Sequence, residues 1–157
     1  TGFNLVALAN RFPEKILTGY DYSQWAVELV NLVGFSQNMN IGAFLFDMKH
    51  PGNDDLCDGV FTYGAIEQLA GDFIPFMEYL IKRKPRIVVH VEPTIELYDE
   101  GNLIDALAIR FHKKRGYTQG FLSWLQRNPS VQMLHIERSY FGSTMMEGHM
   151  LTVWRPL

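Results

Sequence analysis

The segment 131–154, VQMLHIERSYFGSTMMEGHMLTVW, holds two runs of strand-forming residues, 131–137 and 150–154, with no helical pattern between them. Strands that follow one another without a crossover helix pair antiparallel, because a parallel partner needs a long connection back to the same end of the sheet. Upstream the pattern is different. Helix 3–11, strand 16–20, helix 24–33, strand 41–46, strand 59–63, a helix opened by Asp72, strand 86–91, helix 103–115 and a short helix 120–126 form an alternating series. Such alternation indicates a parallel sheet covered by helices. The expected fold class is therefore α/β: a mostly parallel sheet with helices on both faces, finished by an antiparallel C-terminal strand pair.

Apolar spacing assigns the expected faces. Trp25, Ala26, Leu29, Val30 and Val33 recur at helical intervals, with Ser23 as the cap and Gly34 as the stop. Phe73, Phe76, Met77, Leu80 and Ile81 do the same after Asp72, with Pro75 tolerated in the first turn. Ile104, Leu107, Ala108 and Phe111 are the expected inward face of the helix 103–115, and Asn128-Pro129 breaks the one after it. No internal repeat, low-complexity tract or linker is visible, so 157 residues read as a single domain, which buries roughly 70% of the surface of its unfolded chain.

The single cysteine, Cys57, excludes an internal disulfide and a cysteine-based metal cluster, and suits a reducing cytoplasm. A net charge of −3 supplies no basic field for non-specific nucleic-acid binding. The one basic run, RFHKKR at 110–115, closes a helix, where cations complement the helix dipole. No apolar run approaches the roughly 20 residues that span a bilayer. The partner expected from these numbers is a small molecule.

In ILTGYDYS, 16–23, a short apolar run ends in an acidic residue and hands over to a helix-capping serine. This is the pattern of the second strand of a nucleotide-binding βαβ unit, in which the terminal carboxylate accepts hydrogen bonds from the ribose hydroxyls of an adenosine-containing cofactor. Asp21 holds that position, followed by Tyr22. The preceding helix opens at Gly2 and Phe3, and Thr1-Gly2-Phe3-Asn4 reads as the tail of a Gly-x-Gly-x-Gly turn. The chain also lacks an initiator methionine, so the expectation is a domain that is N-terminally incomplete.

Matched motifs in order extend the pattern. FLFDM at 44–48 and GVFTYGAIEQL at 59–69, after GYDYS, resemble the third-strand, fourth-strand and second-strand motifs of the class I S-adenosylmethionine-dependent methyltransferases. The resemblance implies a Rossmann-like methyltransferase sheet and S-adenosylmethionine as cofactor, with Asp47 on the adenine amino group beside Met48, and Thr62 and Tyr63 at the cofactor end of the fourth-motif strand. Two departures stand out: the first strand and most of the glycine loop are absent, and Gln68 stands where many relatives have histidine. The stretch 90–122, with YFGS, the EGH turn and VWRP, is also similar to methyltransferases of bacterial surface-polysaccharide clusters, which would make the acceptor a sugar hydroxyl.

Methyl transfer to a hydroxyl needs the acceptor held in line with the methyl carbon and a base for its proton. Ligands of open α/β sheets bind beyond the carboxyl ends of the strands. Candidates there are His149 as base with Glu147 orienting it, Glu92 where a buried strand meets Pro93, and His90 within that strand. For His90 a hydrogen-bonded core histidine is the competing reading, and for His149 and Glu147 two exposed loop residues. Tyr98, with Asp99 and Glu100, forms either a substrate edge or a solvated turn, and His112 reads as structural or solvent-facing. No residues have metal-ligand spacing. The expected function is O-methylation of a sugar or other small molecule; the competing readings are a catalytically silent methyltransferase-like interaction module and an NAD-dependent oxidoreductase.

Overall fold

A computed structural model describes residues 2–52, 58–139 and 148–157. Cys57 and Glu147 lie outside the described residues, as does most of the loop between the last two strands. The chain divides into two compact units, 1–52 and 53–157, and each is described by itself.

Unit 1 runs α1 (Phe3–Arg11), β1 (Leu17–Asp21), α2 (Gln24–Ser36), β2 (Ile41–Leu45), with β1 and β2 parallel and Asp21 opposite Leu45. Its core is Val27, Val30 and Ala43, with Leu5 and Ile41 packed against them. The buried face of α2 differs from the expected one: Val27, Val30 and Gly34 point inward, while Trp25 is 81% exposed. Gly34 does not stop the helix. It lets α2 lie directly on β2, since a Cβ there would stand 2.5 Å from the Ile41 carbonyl oxygen. Asn31 reinforces the contact, its amide accepting from Ala43 N–H at 2.8 Å and donating to Ala43 C=O at 3.1 Å.

Unit 2 contains β3 (Gly59–Tyr63), α3 (Ile74–Arg83), β4 (Ile87–Glu92), α4 (Leu103–Arg115), α5 (Phe121–Arg127), β5 (Val131–Arg138) and β6 (Met150–Pro156). Two short 3-10 turns, Ile66–Leu69 and Ile95–Leu97, follow β3 and β4. The strand order is β3-β4-β6-β5, with β3 and β4 parallel and β6 antiparallel to both β4 and β5. The α/β class and the antiparallel C-terminal pair therefore stand as read from 131–154. Since β6 opposes both neighbours, β5 runs in the direction of β4, and both reach the same edge: Met150 pairs with Glu92 on one side and Arg138 on the other.

One face of this sheet is closed by α3 and α5, whose Phe76, Met77, Leu80, Phe121, Leu122 and Leu125 are buried together with Val88, Met150 and Trp154. Asp72 does not cap α3, because Phe73 occupies the cap position and Pro75 the first turn. Of the expected inward face of α4, Ala108 alone is buried. Asp105, Ala108, Ile109 and His112 face inward, and Leu103, Ile104, Leu107 and Phe111 face solvent. Asn102 is its true cap, accepting from Ile104 N–H and Asp105 N–H.

Candidate active site

In unit 1 the candidate residues gather at the carboxyl edge of the parallel pair. Asp21 ends β1, and its backbone carbonyl receives Phe46 N–H at 2.9 Å, which brings the chain leaving β2 alongside it. One carboxylate oxygen, Oδ1, accepts Ser23 N–H at 2.9 Å. Ser23 thus starts α2 by a backbone contact rather than by its hydroxyl. Among the described residues the second oxygen of Asp21 has no partner, so this half-buried carboxylate fits a ligand with adjacent hydroxyls. Asp47 is engaged in its own turn: Lys49 N–H donates to Oδ1 at 2.8 Å, and Oδ2 lies 2.9 Å from His50 Nδ1. The His50 contact, then the Lys49 N–H, hold its carboxyl below the ordinary range. Met48 is half-buried in that turn. Tyr22 and Phe3 are both 82% exposed, and Gly2 caps α1 with φ +78°, where a Cβ would meet Val30 at 2.8 Å.

In unit 2 the register decides which polar groups meet. Thr62 pairs with His90 across β3 and β4, and the two-residue period of a strand puts Glu92 on the same face as His90. The three form a buried chain: the Thr62 hydroxyl donates to Glu92 Oε1 at 2.7 Å and lies 2.8 Å from His90 Nδ1. A hydroxyl has one hydrogen. With it committed to the carboxylate, Nδ1 carries the imidazole proton and His90 is neutral. Burial pushes His90 down to about 3. Its ring is fully enclosed, edge-on to Phe121 and stacked on Trp154.

Glu92 holds the turn that follows β3. Its carboxylate accepts from Ala65 N–H and Ile66 N–H, each at 3.1 Å, and from Glu67 N–H at 3.4 Å. Burial pushes its pKa up to about 7, although the donors from Thr62 and the three backbone groups act against it. The carboxylate borders a cleft of about 10 Å³ shared with Glu67, Thr94, Glu96, Thr118 and Phe121, room for one water. The geometry thus ties His90 and Glu92 to Thr62 and to the turn after β3.

At the open rim of that edge the rings of Tyr63 and His149 stack, centroids 4.6 Å apart and planes at 24°. Gly64, with φ +57°, keeps the space beside them clear: a Cβ there would stand 3.8 Å from His149 Nε2 and 3.9 Å from Glu67 Oε1. Glu67, which the sequence motif did not single out, thus borders the same space over Gly64 as the imidazole, carried there by the turn that Glu92 caps. Tyr98 is half-buried beneath the Arg138 guanidinium, 5.6 Å from ring centre to Cζ, and edge-on to His112. Arg138 also donates to Leu97 C=O at 3.0 Å and to Asp105 Oδ2 at 2.5 Å. Among the described residues no group of His, Cys, Asp and Glu has the arrangement to hold a metal ion.

No family model and no curated protein matches the sequence. Solved structures do match its shape. Mitomycin 7-O-methyltransferase MmcR superposes with a TM-score of 0.75 at 10% identity, covering 99% of this chain and 46% of its own. The fold is that of the S-adenosylmethionine-dependent methyltransferases. The apo S-adenosylmethionine-dependent methyltransferase SibL gives 0.72 at 14% identity, and LepI in complex with SAM gives 0.69 at 9%, each over 99% of this chain. The chain spans less than half the length of all three, from 40% to 47%. At such identities the methyltransferase fold is what is shared; activity and substrate belong to each protein's own site.

Proposed function

We propose that this chain is a single S-adenosylmethionine-dependent methyltransferase domain acting on a hydroxyl of a small molecule, with a sugar as the acceptor class. The whole-chain likeness to methyltransferases carries this reading, supported by the carboxylate of Asp21 standing at the end of β1 with an oxygen available. In unit 1 the proposal gives Asp21 the ribose hydroxyls and Asp47, with Met48 and Tyr22, the adenine end, while Gly2 and Phe3 border the turn before α1. Bound S-adenosylmethionine would supply an electrophilic methyl group.

In unit 2 the proposal places the acceptor's proton on His149, whose ring stacks on Tyr63 and whose Nε2 borders the space over Gly64. Tyr63 fixes the ring by stacking on it, and a positioned imidazole can take a hydroxyl proton. Glu147, two residues before His149, keeps its candidate role as an orienting acid, and Tyr98 as an acceptor contact. The proposal has His90 and Glu92 hold Thr62 and the turn after β3. No helix among the described residues is long and apolar enough to cross a membrane, and a net charge of −3 favours a small acceptor over nucleic acid.

Calorimetric titration with S-adenosylhomocysteine tests the cofactor. One-to-one micromolar binding supports the reading; no binding overturns it, and NAD is then the ligand to try.

A further inference from the structure

Four large apolar side chains on one helix face solvent. On α4, Leu103 is 74% exposed, Ile104 68%, Leu107 54% and Phe111 48%, on the face opposite Asp105, Ala108, Ile109 and His112. Leu103, Leu107 and Phe111 follow at four-residue intervals and make a continuous ridge about 12 Å long. Single exposed apolar residues are ordinary, but a continuous apolar stripe is a mark of an interaction surface.

The charges at its ends name the partner. Exposed Asp99 and Glu100 precede the helix, and exposed Arg110, Lys114 and Arg115 close it. We infer that the stripe pairs with the same stripe of a second copy, antiparallel, about a two-fold axis passing at Leu107. Such an axis brings each position opposite the one equally far on the other side of Leu107. Leu103 then meets the partner copy's position 111, a phenylalanine, and Leu107 meets itself. Glu100 falls opposite position 114, a lysine, and Asp99 opposite position 115, an arginine. A parallel pairing would put the three cations against three cations, so charge selects the antiparallel form. Exposed ion pairs add little affinity, but they set orientation, and the same patch on both copies gives a closed, isologous contact.

The pairing is independent of the methyltransferase reading. Sedimentation of the chain from low micromolar to submillimolar concentration measures it. The wild type is expected to dimerise, and Leu107→Lys, which sets two cations face to face on the axis, to weaken the dimer by about tenfold or more with an unchanged circular dichroism spectrum. Lys114→Glu should weaken it too, and Glu100→Lys combined with Lys114→Glu should restore it by exchanging the signs. A wild type that stays monomeric throughout, or a dimer that Leu107→Lys leaves intact, overturns the inference.

Discussion

The Thr62 hydroxyl hydrogen goes to Glu92, across the parallel β3–β4 pair, at 2.7 Å. That bond fixes the protonation of everything around it. The Thr62 oxygen is left to receive Nδ1–H of His90 at 2.8 Å, so a neutral imidazole and a carboxylate share one hydroxyl. Protonating Glu92 lets the chain run the other way, with the carboxyl donating to Thr62 and Thr62 donating to Nδ1. A sheet interior containing this relay has a pH dependence that can be read from its signs.

With Glu92 raised from 4.5 to about 7, the folded chain holds the extra proton between those values, and stability falls as pH rises through that window. His90 is lowered from 6.5 to about 3, so the unfolded chain holds the extra proton and stability falls as pH drops from 6.5. Between pH 4.5 and 6.5 the two slopes oppose; below 4.5 only His90 acts. Glu92→Gln should remove the opposition, and the variant should lose stability relative to wild type as pH falls from about 7 to 4.5, approaching about 1.4 kcal/mol per pH unit in that window. Urea denaturation of both proteins over this range checks it, and parallel curves between pH 4.5 and 7 would contradict the relay.

Gly34→Ala sets helix propensity against packing. Alanine favours an α-helix over glycine by about 1 kcal/mol. Its methyl would stand 2.5 Å from Ile41 C=O and 2.9 Å from Ile41 Cγ1, forcing α2 off β2. Overpacking of this kind costs roughly 1–3 kcal/mol, and backbone on the other side cannot swing away, so a net loss of stability is expected. Gly42→Ala is the comparison, since the nearest atom to a Cβ there is 3.7 Å away. The melting temperature should drop for the first and hold for the second; a rise for Gly34→Ala would refute the close-contact reading.

Much of this organisation is written in local pattern. The strand pair in 131–154 and the alternation before it are short-range signals, and α1, β3 and α4 have the bounds that their periodicity gives. That His90 and Glu92 share a face also follows from their spacing. Their bonds to Thr62, Ala65 and Ile66 do not, because register between strands about 30 residues apart is set by the packed sheet. The rotated faces of α2 and α4 have the same origin. Asp105 turns inward because Arg138, 33 residues away, is there to pair with it, and Gly34 does so because β2 comes close enough to exclude any side chain.

Arg138 and Asp105 should couple strongly. Asp105 is nearly enclosed, and Arg138 joins it to Leu97 C=O and to the Tyr98 ring. Burial alone would raise the Asp105 carboxyl, but Asp99 N–H and Arg138 outweigh it and hold the group below its usual range. The pair's contribution is therefore present above the ordinary carboxylate range and lost as pH falls through it. Arg138→Met leaves a buried carboxylate held by Asp99 N–H and should cost about 2–4 kcal/mol. Arg138→Met with Asp105→Asn should cost less than the sum of the single changes by about 1–3 kcal/mol. A denaturation cycle at neutral pH measures the coupling, and strict additivity would remove the pair from the structure's supports.

Asp21 has two tasks that substitution can separate. Its Oδ1 accepts Ser23 N–H and starts α2; the proposal gives the other oxygen to the ribose of the cofactor. Asp21→Asn keeps a carbonyl oxygen for Ser23 but loses the charge and one acceptor. It should therefore preserve the melting temperature while weakening S-adenosylhomocysteine by roughly 1–3 kcal/mol, the difference a charge-assisted hydrogen bond makes. Asp21→Ala removes both acceptors, so it should lose the same affinity and some stability as well, about 1 kcal/mol. Calorimetry with each variant reads the first effect and thermal denaturation the second. If wild type binds and both variants bind equally well, Asp21 belongs to the helix start alone and the adenosine is held elsewhere; if Asp21→Asn loses affinity with its fold intact, the carboxylate's second oxygen is where the ribose sits.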